Sequence, residues 1–179
     1  MAGHSKWAQI KRQKGAADAK KSQIFSKLAR MIAIAVRKGE DPGMNPELRV
    51  AIDKAKEANM PADNIERAIK RSTGKLEGVQ LENLKIEAYG PAGIAIIIEA
   101  ITDNRNRTIA EIKHILSKYG AKWAEPGSVV WSFEPLAGGK GWKPKHTIEI
   151  SEKDAKALDK LLEELDDHDD VNELFTNSS

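Results

Sequence analysis

Leu84-Lys85-Ile86-Glu87-Ala88-Tyr89, followed by Gly90-Pro91-Ala92-Gly93 and then Ile94-Ala95-Ile96-Ile97-Ile98, is the stretch that decides the fold. Leu84, Ile86 and Ala88 alternate with Lys85, Glu87 and Tyr89, the period of a half-buried strand. The Gly/Pro cluster is a turn, and the apolar run after it is strand-sized and stops at Glu99. A strand, a tight turn and a second strand predict an antiparallel pair at the start of a sheet.

Downstream, the helical and strand periods take turns. Thr108-Ile109-Ala110-Glu111 has the spacing of a capping box, and Ile109, Ile112, Leu116 and Tyr119 continue a helix that Gly120 closes. Val129, Trp131 and Phe133 alternate as a strand. Gly138-Gly139-Lys140-Gly141 reads as a flexible connector, and Thr147–Ile150 as a short strand. Ser151 with Asp154 caps a helix carrying Ala155, Leu158, Leu161, Leu162 and Leu165, and a last strand lies near Val171–Phe175. The predicted order is β-β-α-β-β-α-β, with helices on one face of a mainly antiparallel sheet, an α+β layer.

Upstream of the strands the period is helical. From Gln23 to Lys38, the residues Ile24, Phe25, Leu28, Met31, Ile32, Ala35 and Val36 share a face, while Lys20, Lys27, Arg30, Arg37 and Lys38 are expected on the other. Asn45-Pro46 opens a second helix and Met60-Pro61 precedes a third, which Gly74 ends. The expected organisation is a basic three-helix domain over 1–75 and an α+β domain over 76–179, with a short connector at 135–146.

Charge carries the functional signal. Residues 1–38 hold ten Lys/Arg against the single acid Asp18, whereas residues 152–179 hold three lysines against ten acids. A helix face in water rarely accumulates such an excess, so the basic end points to a polyanion. His4, Lys6 and Trp7 in Gly3-His4-Ser5-Lys6-Trp7, with Lys11, Arg12, Lys14, Lys20, Lys21, Lys27, Arg30, Arg37 and Lys38, form the expected nucleic-acid contact. Lysine outnumbers arginine there, which favours attraction to the phosphate backbone over bidentate reading of bases. Trp7 has a second reading, as a staple pinning the arm to the bundle. Arg105 and Arg107, at a helix entrance, make a further phosphate site, whereas Asp103, Asn104 and Thr108 read as caps. The acidic run Asp166-Asp167-His168-Asp169-Asp170 reads as a solvated turn; it lacks the glycine and ligand spacing of a calcium loop.

Several function classes fall away. With no cysteine in 179 residues there is no disulfide, catalytic thiolate or cysteine metal site, and a reducing cytoplasm is the expected compartment. No apolar run is long enough to span a bilayer. The four histidines, His4, His114, His146 and His168, show neither metal spacing nor a catalytic arrangement. A non-enzymatic monomer is expected, one that needs no cofactor or metal and meets no membrane. The lysine-rich N-terminus also has the composition of an organellar transit peptide, but it continues without a break into a helix whose apolar face the bundle needs.

Taken together, Gly3–Trp7, Asp18-Ala19-Lys20-Lys21, Phe25-Ser26-Lys27-Leu28-Ala29-Arg30, Asn59–Lys70, Tyr89-Gly90-Pro91 and Thr102–Thr108 closely resemble the YebC/PmpR family. That family includes bacterial transcriptional regulators and the mitochondrial translational activator of cytochrome oxidase. The resemblance is dense over about the first 134 residues. It implies a helical domain followed by an α+β region, and a shortened member, because the family's inserted small domain is replaced here by the Gly/Lys/Pro connector. It leaves two functions open: RNA or ribosome binding in translation, and double-stranded DNA binding in transcription. The absence of a recognition-helix or dimer signature leans the reading to RNA or the ribosome. A third reading, a small-molecule enzyme, would need a metabolite pocket around Asp103, Arg105 and Arg107.

Overall fold

A computed structural model of the chain describes residues 18–73 and 80–179. These residues fall into two compact units. One holds the described part of Ala16–Glu82 with Ala137–Lys140; the other holds Asn83–Leu136 and Gly141–Ser179.

The helical unit contains α1 (Asp18–Val36), α2 (Pro46–Glu57) and α3 (Ala62–Thr73). Asn45 caps α2: its side-chain oxygen accepts from the Leu48 amide at 3.1 Å, and its amide donates to the Ala35 and Gly39 carbonyls. One buried asparagine thereby starts one helix and ties it to the end of another. The stripe Leu28, Ile32, Ala35 and Val36 packs on Leu48, Ala51 and Ala55 of α2, on Ile65 of α3, and on Met60. The predicted bundle is present, and α1 begins before the predicted Gln23.

The second unit is an α+β layer. Strands β1 (Glu82–Tyr89), β2 (Ala95–Thr102), β3 (Lys122–Ala124) and β6 (Val171–Thr176) form a sheet in the order β3-β1-β2-β6. β3 lies antiparallel to β1 and β6 antiparallel to β2. Helices α4 (Arg105–Lys118) and α5 (Glu152–Asp167) cover one face, where Ile112, Leu116, Leu158, Leu161 and Leu165 meet Leu84, Ile86, Ile96 and Ile98. The opposite face is also closed: Ala95 and Ile97 of β2 and Phe175 of β6 pack under Val129 and Phe133. Cover on both sides is why Ile94–Ile98 is unbrokenly apolar instead of alternating.

Several local expectations are corrected. The segment around Val129–Phe133 is a 3-10 turn over Val130–Ser132, with only Phe133–Pro135 extended as β4. β4 pairs with β5 (Trp142–Pro144), so the expected connector over 135–146 contains one arm of a two-stranded hairpin, with residues 138–141 in its loop. Thr147–Ile150 is not a strand; Ile148 makes one isolated parallel bridge to Ser178. Of the residues expected to cap α4, Asn104 does so, its side chain accepting from the Arg107 amide at 3.1 Å, whereas Thr108, the expected start of a capping box, is buried inside the first turn. Ser151 caps α5 as predicted, accepting from the Asp154 amide at 3.1 Å.

Candidate nucleic-acid interface

Part of the expected contact surface can be placed. His4, Lys6, Trp7, Lys11, Arg12 and Lys14 lie outside the described residues. Lys20 and Lys21 are exposed on the first turn of α1, and Arg37 and Lys38 are exposed just beyond its end. Positive charge after a helix C-terminus suits the negative end of the dipole. Arg37 donates to the Leu81 carbonyl at 2.6 Å, and Lys38 pairs with Glu47.

Lys27 departs from the expected cationic face: it is only 7% exposed. Position 27 lies three residues after Ile24 and four before Met31, at the margin of the apolar stripe, where a lysine stem covers hydrocarbon. Arg30 is half-buried. On α3, Arg67, Lys70 and Arg71 are exposed, and they extend the basic surface of this unit to residues that charge counting over 1–38 missed.

At the entrance to α4, Arg107 is drawn into a network. Its Nη2 lies 2.8 Å from Asp103 Oδ1 and 2.8 Å from Asp170 Oδ2, and its Nε lies 3.9 Å from Glu111. Hydrogen bonds to Asp170 and then Asp103 raise the guanidinium pKa further. Asp170 is 3% exposed and also accepts from the Thr108 hydroxyl at 2.6 Å, which itself meets Thr102 Oγ1 at 2.7 Å. The structure places Arg107, itself exposed, against carboxylates of its own chain. Arg105 is exposed.

The acidic run is likewise not simply a solvated turn, since Asp166 and Asp170 are buried. The Asp170 amide donates to His168 Nδ1 at 3.1 Å, which leaves Nε2 to donate to Glu111 Oε2 at 2.7 Å. Ligand-type atoms of Glu111, His168 and Asp170 all lie within 4.8 Å of one another. They could hold a divalent ion only by giving up the bonds to Arg107 and between His168 and Glu111. No sequence spacing signals this cluster, because Glu111 and His168 come from elements 57 residues apart.

A second surface is built from β1 outward. The Glu87 carboxylate, 4% exposed, accepts the Gly127 amide on Oε1 at 2.7 Å, and those of Val129 and Val130 on Oε2 at 2.7 and 2.8 Å. Burial pushes its pKa up, but the three amides and Lys85 outweigh that and hold it below the ordinary value. The loop so fixed directs the Ser128 carbonyl toward two aromatics: Tyr89 Oη donates to it at 2.9 Å and Trp131 Nε1 at 2.7 Å. Trp131 remains 67% exposed. Lys145 Nζ donates to the Trp131 carbonyl at 2.7 Å, and Lys122 is the register partner of Tyr89. Sequence alternation had assigned Glu87 to a solvated strand face; the signal missed was the polar loop Glu125-Pro126-Gly127-Ser128, which needs an acceptor for its amides.

No helix among the described residues is long and apolar enough to cross a membrane. Residues 5–75 match the profile of the TACO1/YebC protein N-terminal domain. Residues 81–138 and 136–178 match that of the TACO1/YebC second and third domain. A probable transcriptional regulatory protein of Petrotoga mobilis is 51% identical over 178 residues, covering 98% of this chain and 70% of the relative. Another, from Fervidobacterium nodosum, is 40% identical over 235 aligned residues that take in 99% of this chain and 93% of the relative, which is therefore the longer protein. A conserved hypothetical protein of Aquifex aeolicus, known from its crystal structure, superposes with a TM-score of 0.78 at 33% identity, covering 90% of this chain and 91% of that one. With both profiles matched along nearly its whole length, the chain belongs to the TACO1/YebC family.

Proposed function

We propose that this protein is a non-enzymatic, nucleic-acid-binding regulator of gene expression that acts in translation by binding RNA or the ribosome, with its basic N-terminal region as the principal contact. The observation that carries this reading is the ten-to-one excess of cations over residues 1–38, part of which stands exposed as Lys20, Lys21, Arg37 and Lys38. Each phosphate neutralised releases counterions, with a log–log salt slope of about −0.7 per contact for a single strand and about −0.9 for B-DNA. Lysine, a compact point charge, suits backbone attraction without sequence reading. A cytoplasmic monomer without a cofactor completes the reading.

The second reading is double-stranded DNA binding in transcription, and the names of the relatives favour it: they are called probable transcriptional regulatory proteins. Crosslinking in cells, followed by sequencing of the attached nucleic acid, separates the two. Ribosomal RNA supports translation; promoter DNA overturns it. In vitro, replacing Lys6, Lys11, Arg12 and Lys14 with glutamine is expected to weaken binding and flatten the salt slope. Unchanged affinity and slope would remove the arm as the contact surface.

A further inference from the structure

We infer that the surface formed by Trp131, Tyr89, Lys145 and Lys122 is a stacking platform for an unpaired nucleotide of a single-stranded nucleic acid. The platform rests on the nucleic-acid reading and adds to it a second contact, far along the sequence from the basic arm.

The way Trp131 is held points to this role. A tryptophan exposed to this degree is unusual, because its large apolar area is ordinarily covered. The other two described tryptophans of the α+β unit are half-buried, and Lys113 lies over the ring of Trp123 at 4.7 Å and Lys85 over that of Trp142 at 4.8 Å. Trp142 also donates to Glu99 at 2.8 Å. Trp131 instead uses its one polar atom on the Ser128 carbonyl, which fixes the edge of the indole and leaves its face to solvent. A ring already restrained loses little entropy when a second ring stacks on it.

The restraint runs to the centre of the unit. The Ser128 carbonyl is positioned by the amides on either side of it, those of Gly127 and Val129, both bound to buried Glu87. Tyr89, also exposed, shares the same carbonyl, so two aromatic side chains converge on one atom. Cations flank them. Lys145 is bound to the Trp131 carbonyl itself, and Lys122 lies opposite Tyr89 in the β1–β3 register. Of the acids close in sequence, Glu134 faces Lys143 at 3.8 Å, and Glu125 is exposed on the loop.

A flat aromatic face with ammonium groups beside it matches a base with its phosphates, and bases in a duplex do not offer that face. An apolar protein partner would have no use for the lysines, and a phosphate alone would have none for the indole.

The test uses the full chain and a fluorescently labelled uridine-rich RNA of about a dozen nucleotides, with the duplex of the same sequence for comparison. Trp131→Ala is expected to weaken single-strand binding roughly tenfold, within the range for loss of one stacked base, and to leave the salt slope unchanged. Trp131→Phe, which keeps a stacking ring but loses the bond to the Ser128 carbonyl, should restore part of the affinity. Lys145→Gln should flatten the slope by about 0.7. Duplex binding should not respond to Trp131→Ala. The ring is exposed, so the variant should melt as wild type does, and a melt run alongside confirms it. Single-strand affinity of Trp131→Ala within twofold of wild type overturns the platform and leaves the basic-arm reading standing. Equal loss on single strand and duplex also overturns it. If wild type binds neither RNA, the nucleic-acid reading itself falls, and the platform with it. Loss of a co-purifying protein with RNA affinity intact would reassign the surface to a protein partner.

Discussion

Replacing Glu87 with glutamine keeps the shape of the side chain and removes only its charge and one acceptor. The best orientation of the amide gives its carbonyl to Val129 and Val130 and turns its NH2 toward the Gly127 amide, donor against donor. Two hydrogen bonds to a charged acceptor become neutral ones, at about 1 kcal/mol each, and the part-buried Gly127 amide loses its acceptor, which costs about 1 kcal/mol because solvent reaches that residue. Relief from burying a carboxylate returns part of this, so the net loss is about 1–3 kcal/mol. The pH dependence is the sharper test. The folded-state pKa of Glu87 is lowered, so its contribution is fully present above the unfolded value and is lost as pH falls through the folded one. Urea unfolding followed by circular dichroism should show the full gap between wild type and Glu87→Gln at pH 7. That gap should narrow only below about pH 4, the range of an ordinary glutamate. Equal stability at pH 7, or a gap that widens on acidification, contradicts this account of the carboxylate.

Two other substitutions probe neighbouring features. Gly141 has φ +118° and faces Phe175 so closely that an added Cβ would lie 2.5 Å from its ring; Gly141→Ala should destabilise by about 1–3 kcal/mol, seen as a lower melting temperature, and an unchanged melt would contradict this packing. Arg107→Gln should lower thermal stability, since it leaves a buried carboxylate short of its cation, while the salt slope of RNA binding stays the same; a flatter slope at unchanged stability would return Arg107 to the phosphate contacts.

The architecture was legible where burial is one-sided. Leu84, Ile86 and Ala88 alternate because β1 has a helix-covered face, and Asn45-Pro46 announces a helix because its cap is local. What escaped depends on partners distant in the chain. Glu87 looks like a surface residue until residues 127–130 come to rest on it. Asp170 reads as one more acid in a charged run, yet its partner Arg107 lies 63 positions earlier. Val129-Trp131-Phe133 alternates like a strand, but the turn chemistry around Ser128 wins and Trp131 is thrown outward. Charge counting over 1–38 reaches neither Arg67, Lys70 and Arg71 on α3 nor the difference between Lys27, which is buried, and Lys21, which is exposed.

The β4–β5 hairpin bears on how chain length changes within this family. Pro135 and Trp142 are register partners, and the Leu136 amide donates to the Gly141 carbonyl at 2.8 Å. The family profile breaks and resumes at residues 136–138, within that loop. Backbones of paired strands stand about 5 Å apart, so any segment spliced there begins and ends at adjoining points. A folded module with neighbouring termini can be gained or lost without shifting a strand, which makes this loop a natural graft point for building longer or shorter variants.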